Sequence, residues 1–86
     1  MNRVKVYSTG TCPICEKTKA FLTKRGIAYD EVRIDIDRAA MAEFVQVTNG
    51  ARTVPQILID NKCIGGFTEL TELHMDGGLD HLLPQS

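Results

Sequence analysis

A change of hydrophobic period around two cysteines constrains this chain more than any other feature. The run Val4-Lys5-Val6-Tyr7-Ser8 has the pattern of a buried strand, and Glu16 to Arg25 reads as a helix. Between them stands Thr11-Cys12-Pro13-Ile14-Cys15, so the C-x-x-C occupies a strand–turn–helix junction. A thiol at a helix N-terminus meets unpaired backbone N–H groups and the positive end of the helix dipole. Both favour thiolate over thiol, and the thiolate is the nucleophile. Pro13 suits the first helical turn, where its missing N–H costs nothing. With Cys12 at the helix edge, Cys15 lies about one turn in, on the same side and within disulfide reach.

This pattern fits a redox dithiol better than the two static alternatives. A structural zinc needs four ligands, and outside the pair the chain offers only Cys63, His74 and His81, with no second close pair. A structural disulfide across this span would close a very small loop and constrain the unfolded chain little. The start, Met1-Asn2-Arg3-Val4, runs directly into the strand pattern and leaves no room for a signal peptide. A cytoplasmic location is therefore expected, and structural disulfides are rare there.

With 86 residues, 10 basic and 11 acidic side chains, the expectation is a single domain over residues 1–86. No basic cluster points to nucleic acid, and no apolar run approaches the length of a membrane span. The first helix covers about residues 14 to 25 and stops at Gly26. The alternation Val32, Ile34, Ile36 predicts a second strand at about 29 to 34. Asp37 caps a second helix, Arg38 to Thr48, whose Met41, Phe44, Val45 and Val47 form a helical stripe ended by Asn49-Gly50. Val54 to Asp60 reads as a third strand, Asp60-Asn61 as a turn, and Lys62-Cys63-Ile64 as a short return strand. After Gly65-Gly66 a last helix begins near Thr68 and carries Leu70, Leu73 and Met75; it breaks at Gly77-Gly78 and resumes as a short turn from Leu79 to Leu83. The order β-α-β-α-β-β-α combines one parallel crossover with one hairpin. The fold class is α/β, a four-stranded mixed β-sheet flanked by helices on both faces.

Three segments together resemble the glutaredoxins: Thr11-Cys12-Pro13-Ile14-Cys15, Arg52-Thr53-Val54-Pro55-Gln56, and Ile64-Gly65-Gly66-Phe67-Thr68-Glu69-Leu70. The resemblance covers essentially the whole chain and implies a thioredoxin-like (glutaredoxin) fold. It implies catalysis by Cys12 and Cys15, and a glutathione site built from Thr11, Pro13, Ile14, Arg52, Thr53, Val54, Pro55, Gly66, Phe67, Thr68 and Glu69. Pro55 matches a cis proline that faces the dithiol; read by itself, a proline here also starts an edge strand. Val54 would then pair with an extended peptide through its main chain. Gly66 lets the backbone approach closely. The helix after it would bind the γ-glutamyl carboxylate, with Thr68 capping it or donating to the ligand and Glu69 serving the α-amino group. Taken alone, the same residues read equally as a capped helix after a flexible turn. Arg52 is either a clamp for the glycine carboxylate or a solvated arginine.

The activity implied is glutathione-dependent disulfide reduction, on protein disulfides and on protein–glutathione mixed disulfides. Glutathione serves as co-substrate, no metal is expected, and the protein acts as a monomer on disulfide-containing or glutathionylated proteins, without nucleic acid or membrane. The alternatives are a thioredoxin-like redoxin recharged by a flavoprotein reductase and an iron–sulfur cluster carrier; Pro13 and Cys15 speak against the carrier. Two departures from the family pattern bear on affinity. Thr9 stands where many members carry lysine, and Ile14 where many carry an aromatic residue. Cys63 reads as a buried small hydrophobe, or else a regulatory thiol. His74 and His81 read as surface residues, and Tyr7 as packing near the dithiol.

Overall fold

A parallel strand pair needs a crossover of a dozen or more residues, and the chain supplies one between its first two strands. The computed structural model describes residues 3–82. β1 (Val4–Ser8) is followed by α1 (Pro13–Lys24) and β2 (Tyr29–Arg33), then α2 (Arg38–Val47), β3 (Gln56–Ile59), β4 (Lys62–Gly65) and α3 (Phe67–Met75). A 3-10 turn, Asp80–Leu82, follows. The strands form one sheet in the order β2-β1-β3-β4. β1 pairs with β2 in parallel and with β3 antiparallel, and β3 pairs antiparallel with β4. This is the expected mixed sheet and element order. Leu83, the predicted end of the last turn, lies outside the described residues.

Local chemistry explains the turns. Asp60 (φ 52°) and Asn61 (φ 69°) both take the left-handed conformation that a two-residue hairpin with a right-handed twist requires. In β4, Cys63 pairs with Leu58 and Gly65 with Ile57, so Ile64 is one residue too many. That bulge sets the direction in which Gly65-Gly66 leaves the sheet. Asp37 caps α2 as expected, its carboxylate accepting the Ala39 and Ala40 N–H groups.

Strand alternation divides the core into two layers. Val4, Val6, Ile57 and Ile59 face α1 and α3, where they meet Leu22, Ile27, Leu70 and Leu79. Tyr7 and Leu58 face α2 and pack on Phe44. The Tyr7 and Phe44 rings meet edge to face, 5.6 Å apart.

Three expectations are corrected. β2 stops at Arg33 and Ile36 is exposed, because Asp35 is held by the Arg33 side chain and the Gly10 N–H and the chain turns there. The apolar stripe predicted for α2 coincides with its buried face at Phe44 alone. Ala40 and Phe44, one turn apart, are buried, while Met41, Val45 and Val47 are exposed. Cys63 is exposed rather than buried. It lies on the edge strand opposite Leu58, so its side chain points to the sheet face away from α3, and its thiol reaches Gln56 Oε1 at 3.7 Å.

Candidate active site

The first turn of α1 is capped by sulfur. Cys12 is its extended N-cap residue, and Cys12 Sγ accepts the Cys15 N–H at 3.1 Å. This is the position that serine or aspartate usually fills. Here it aims a donor and the helix dipole at the sulfur itself. Pro13 enters the first turn without wasting an N–H. The turn before Cys12 is pinned where Gly10 donates to Asp35 at 3.0 Å. Both thiols are free, and they differ in access: Cys12 is partly exposed, whereas Cys15 is fully buried.

Burial pushes the Cys15 thiol up to about 12; its hydrogen bond with Cys12 and the charge there add to the effect. A backbone hydrogen bond from Thr9 and the positive charge of Lys19 oppose it. Cys15 is thus held as a neutral thiol while Cys12 faces solvent. This asymmetry leaves Cys12 the accessible sulfur and Cys15 the shielded one.

The Val54–Pro55 peptide bond is cis, and the Val54 carbonyl lies 3.8 Å from Cys12 Sγ. Beside it opens a cleft of about 430 Å³ with three walls. Ile14 and Lys17 come from α1, Thr53, Val54 and Pro55 from the approach to β3, and Gly66, Phe67, Thr68 and Glu69 from the start of α3. The last two walls touch closely: a Cβ on Gly66 would stand 3.2 Å from the Pro55 carbonyl oxygen. Thr11, Pro13 and Arg52 are exposed, and none of them is among the residues lining the cleft.

The start of α3 differs from the expectation in its capping. Gly66, not Thr68, is the N-cap, and the helix begins at Phe67. A glycine has no side chain to cap with, so Glu69 reaches back and accepts the Gly66 N–H at 2.7 Å. Thr68 sits inside the first turn and is exposed on the cleft. The early N–H groups of α3 have no partner within the helix and make an anion-ready end.

Lys17, a charged residue of α1 absent from the sequence-predicted site, lines the cleft. Its signal was spacing: Lys17 is three residues after Ile14, so the two share a helix face. His74 is half-buried rather than a surface residue. It accepts a hydrogen bond from Arg25 at 3.3 Å and meets the Phe21 ring edge-on. Tyr7 is turned toward α2, and its hydroxyl donates to Glu43 at 3.0 Å. That contact and burial push its phenol above the usual range, so the hydroxyl is engaged away from the dithiol.

The glutaredoxin family model matches residues 4–64. Glutaredoxin 3 of Escherichia coli K12 is 42% identical over 83 residues, spanning 96% of this chain and 99% of that protein. Glutaredoxin of Neisseria meningitidis serogroup A is 43% identical over 84 residues, spanning 96% of this chain and 98% of that protein. In three dimensions the fold resembles a crystal structure of a buckwheat glutaredoxin–glutathione complex, with a TM-score of 0.80 and 33% identity over 95% of this chain and 76% of the other.

Proposed function

Because this chain belongs to the glutaredoxin family, and is accordingly a thiol–disulfide oxidoreductase, we propose that glutathione is its reductant and that the cleft beside Cys12 is the glutathione site. The observation that carries this reading is the cleft's combination of walls. A partly exposed sulfur at a helix N-cap lies beside a groove with a second, anion-ready helix end on one side and a cation, Lys17, on the other. Glutathione is an extended tripeptide with a carboxylate at each end. Its γ-glutamyl carboxylate fits the start of α3 at Phe67 and Thr68. Its glycine carboxylate fits Lys17, the cation of the α1 wall. The backbone at Thr53 and Val54 pairs with the peptide between. Glu69 has one oxygen committed to Gly66 and one left for the substrate ammonium.

Two routes follow. On a glutathionylated protein, the Cys12 thiolate attacks the glutathione sulfur. The bond between that sulfur and the protein breaks, and the protein thiolate leaves and takes a proton. A second glutathione, as thiolate, attacks the same glutathione sulfur, frees Cys12 and yields glutathione disulfide. On a protein disulfide, Cys12 forms a mixed disulfide with the target. Cys15 then attacks Cys12 Sγ, releases the target's second thiol and leaves the Cys12–Cys15 disulfide, which two glutathiones reduce. The protein would act as a monomer, in a reducing compartment such as the cytoplasm, where glutathione keeps the cycle supplied.

The deciding experiment is a glutathione-coupled turnover assay on a small glutathione mixed disulfide. Wild type should turn over, Cys12→Ser should not, and Cys15→Ser should keep its activity. On a protein disulfide, Cys15→Ser should accumulate as a covalent complex with the target. Failure of reduced glutathione to restore the oxidised protein would refute the reading and leave a redoxin recharged by another reductant.

A further inference from the structure

The mechanism asks a fully buried thiol to become a nucleophile, and the cleft does nothing for it. The polar groups behind Cys15 do. Lys19 stands four residues after Cys15 in α1, on the same face. Its side chain is only 18% exposed, yet its ammonium is well held: it donates to Glu16 at 2.7 Å and to Glu31 of β2 at 2.8 Å. Ser8, fully buried at the end of β1, donates to the same Glu31 oxygen at 2.8 Å. The next residue, Thr9, supplies the backbone hydrogen bond to Cys15. α1, β1 and β2 therefore converge on a charged network built around a lysine at the inner side of the dithiol.

We propose that Lys19 is a positioning residue for the second step of dithiol exchange: its ammonium, fixed by Glu16 and Glu31, stabilises the Cys15 thiolate as it forms. The inference rests on the dithiol route above. The step is R–S–S–Cys12 plus Cys15–SH giving the Cys12–Cys15 disulfide plus R–SH. The Cys15 sulfur attacks Cys12 Sγ, the bond from Cys12 to R breaks, and the electron pair leaves with the R sulfur. The Cys15 proton passes to solvent and the R thiolate takes one up. Lys19 accepts no proton, because its bonds to Glu16 and Glu31 raise it above the usual lysine range and keep it charged.

Timing comes from Cys12. In the reduced protein the Cys12 hydrogen bond and charge both help hold Cys15 neutral. In the mixed disulfide Cys12 Sγ carries no charge, so the charge effect vanishes and the sulfur becomes a weaker acceptor for the Cys15 S–H. Burial then opposes ionisation, and Thr9 and Lys19 favour it. The charged and titratable groups involved are Cys12, Glu16 and Lys19 on α1 and Glu31 on β2, with Arg33 acting on Glu31. Among the described residues no charged side chain of β3 or α3 acts on Cys15. Attachment of a substrate therefore weakens two of the three influences that hold Cys15 neutral, and leaves Thr9 and Lys19 acting against burial.

A partly buried cation of this kind lowers an acid by about one pKa unit or more. Losing it cuts the thiolate fraction about tenfold per unit, but the more basic thiolate attacks about threefold faster, leaving a net slowing of about threefold. The test uses an aromatic disulfide, dithiobis(nitrobenzoate), in stopped flow, in a Cys63→Ala background because Cys63 is exposed. The first release of nitrothiobenzoate reports attack by Cys12, and the second reports resolution by Cys15. In Lys19→Met the second phase should slow about threefold near neutrality and its pH profile should move up by about one unit. The first phase should not change, and Lys19→Arg should restore the wild-type profile. Lys19→Gln, which keeps polar length without charge, should match Lys19→Met and serves if the methionine variant does not fold. An unmoved second-phase profile, or equal slowing of both phases, overturns the proposal. The probe contains no glutathione, so failure of the glutathione reading registers separately, in the turnover assay.

Discussion

Replacing Gly65 by alanine tests how the start of α3 is built. Gly65 has φ +108°, in the positive range that L-residues rarely enter. A Cβ there would stand 2.6 Å from Glu69 Oε1, the atom that accepts the Gly66 N–H. The substitution therefore acts twice. Backbone strain of this kind costs about 1–3 kcal/mol. Displacing Glu69 from its cap costs about 1 kcal/mol more. The expected loss is about 2–4 kcal/mol, a large part of the ~5–15 kcal/mol that holds an ordinary domain folded. For a chain of this size it corresponds to a fall in Tm of about 10–25 °C. Urea and thermal melts followed by circular dichroism measure it. Glu69→Ala alone should cost about 1 kcal/mol. The double variant should cost about as much as Gly65→Ala alone, because the cap is lost once, giving a coupling of about 1 kcal/mol. A Gly65→Ala protein within 0.5 kcal/mol of wild type, or strictly additive penalties, would refute the assignment of Glu69 as the cap.

Lys17→Ala should raise KM for glutathione about three- to fivefold, as expected of a solvent-exposed ion pair, with little change in the Cys12 alkylation rate; an unchanged KM removes Lys17 from the carboxylate site. Stability should decline below about pH 5, because the Lys19 and Ser8 bonds hold the Glu31 carboxyl below the usual range. A carboxyl lowered in the fold contributes stability above its unfolded value, about 4.3, and loses it as pH falls through the folded value; Glu31→Gln should flatten the acid limb of a Tm-versus-pH series, and an unchanged limb counts against the network. Phe44→Ala should cost about 3–5 kcal/mol in denaturant melts, since Phe44 is almost fully buried against Tyr7 and Leu58; a loss under 1 kcal/mol would mean that α2 is held by other contacts.

The features legible in the sequence are those in which local chemistry and tertiary need coincide. Asp60-Asn61 is a hairpin because both residues tolerate positive φ, and the sheet requires it there. Cys12-Pro13-Ile14-Cys15 sits on a helix start because the hydrophobic period changes across it. Asp37 names its own helix. Errors arose where the sequence shows polarity but not what lies opposite. Met41 and Val45 are as apolar as a core stripe, yet the sheet meets α2 through Ala40 and Phe44, one position round the helix. Thr68 is the better intrinsic cap, but the bulge at Ile64 and the approach of Gly66 to Pro55 place the cap two residues earlier, at Gly66. Neither Lys17 nor Lys19 announces its role in the sequence, because a lysine's destination depends on partners that are distant in sequence.

Those two lysines separate the two halves of the reaction. Residues two apart on a helix point about 200° from each other, so one short segment of α1 sends Lys17 into the cleft and Lys19 toward Glu31 of β2. Lys17 borders the groove on which the proposed glutathione site rests. Lys19 is locked to Glu31 of β2 behind the buried thiol. On the two proposals, substrate binding and resolution draw on different cations, and neither change should appear in the other's assay. The missing lysine at Thr9 fits this division. A cation there would lie ahead of Cys12, where it could serve the substrate carboxylate and the Cys12 thiolate together. Without it, the proposed glutathione site is left with Lys17 for the carboxylate, while Cys12 relies on the Cys15 N–H and the helix dipole. Thr9→Lys should accordingly accelerate Cys12 alkylation and lower KM for glutathione, while the Cys15 resolution phase stays as it is. An effect confined to that second phase would mean that the charge at position 9 acts through the backbone behind Cys15 rather than across the cleft.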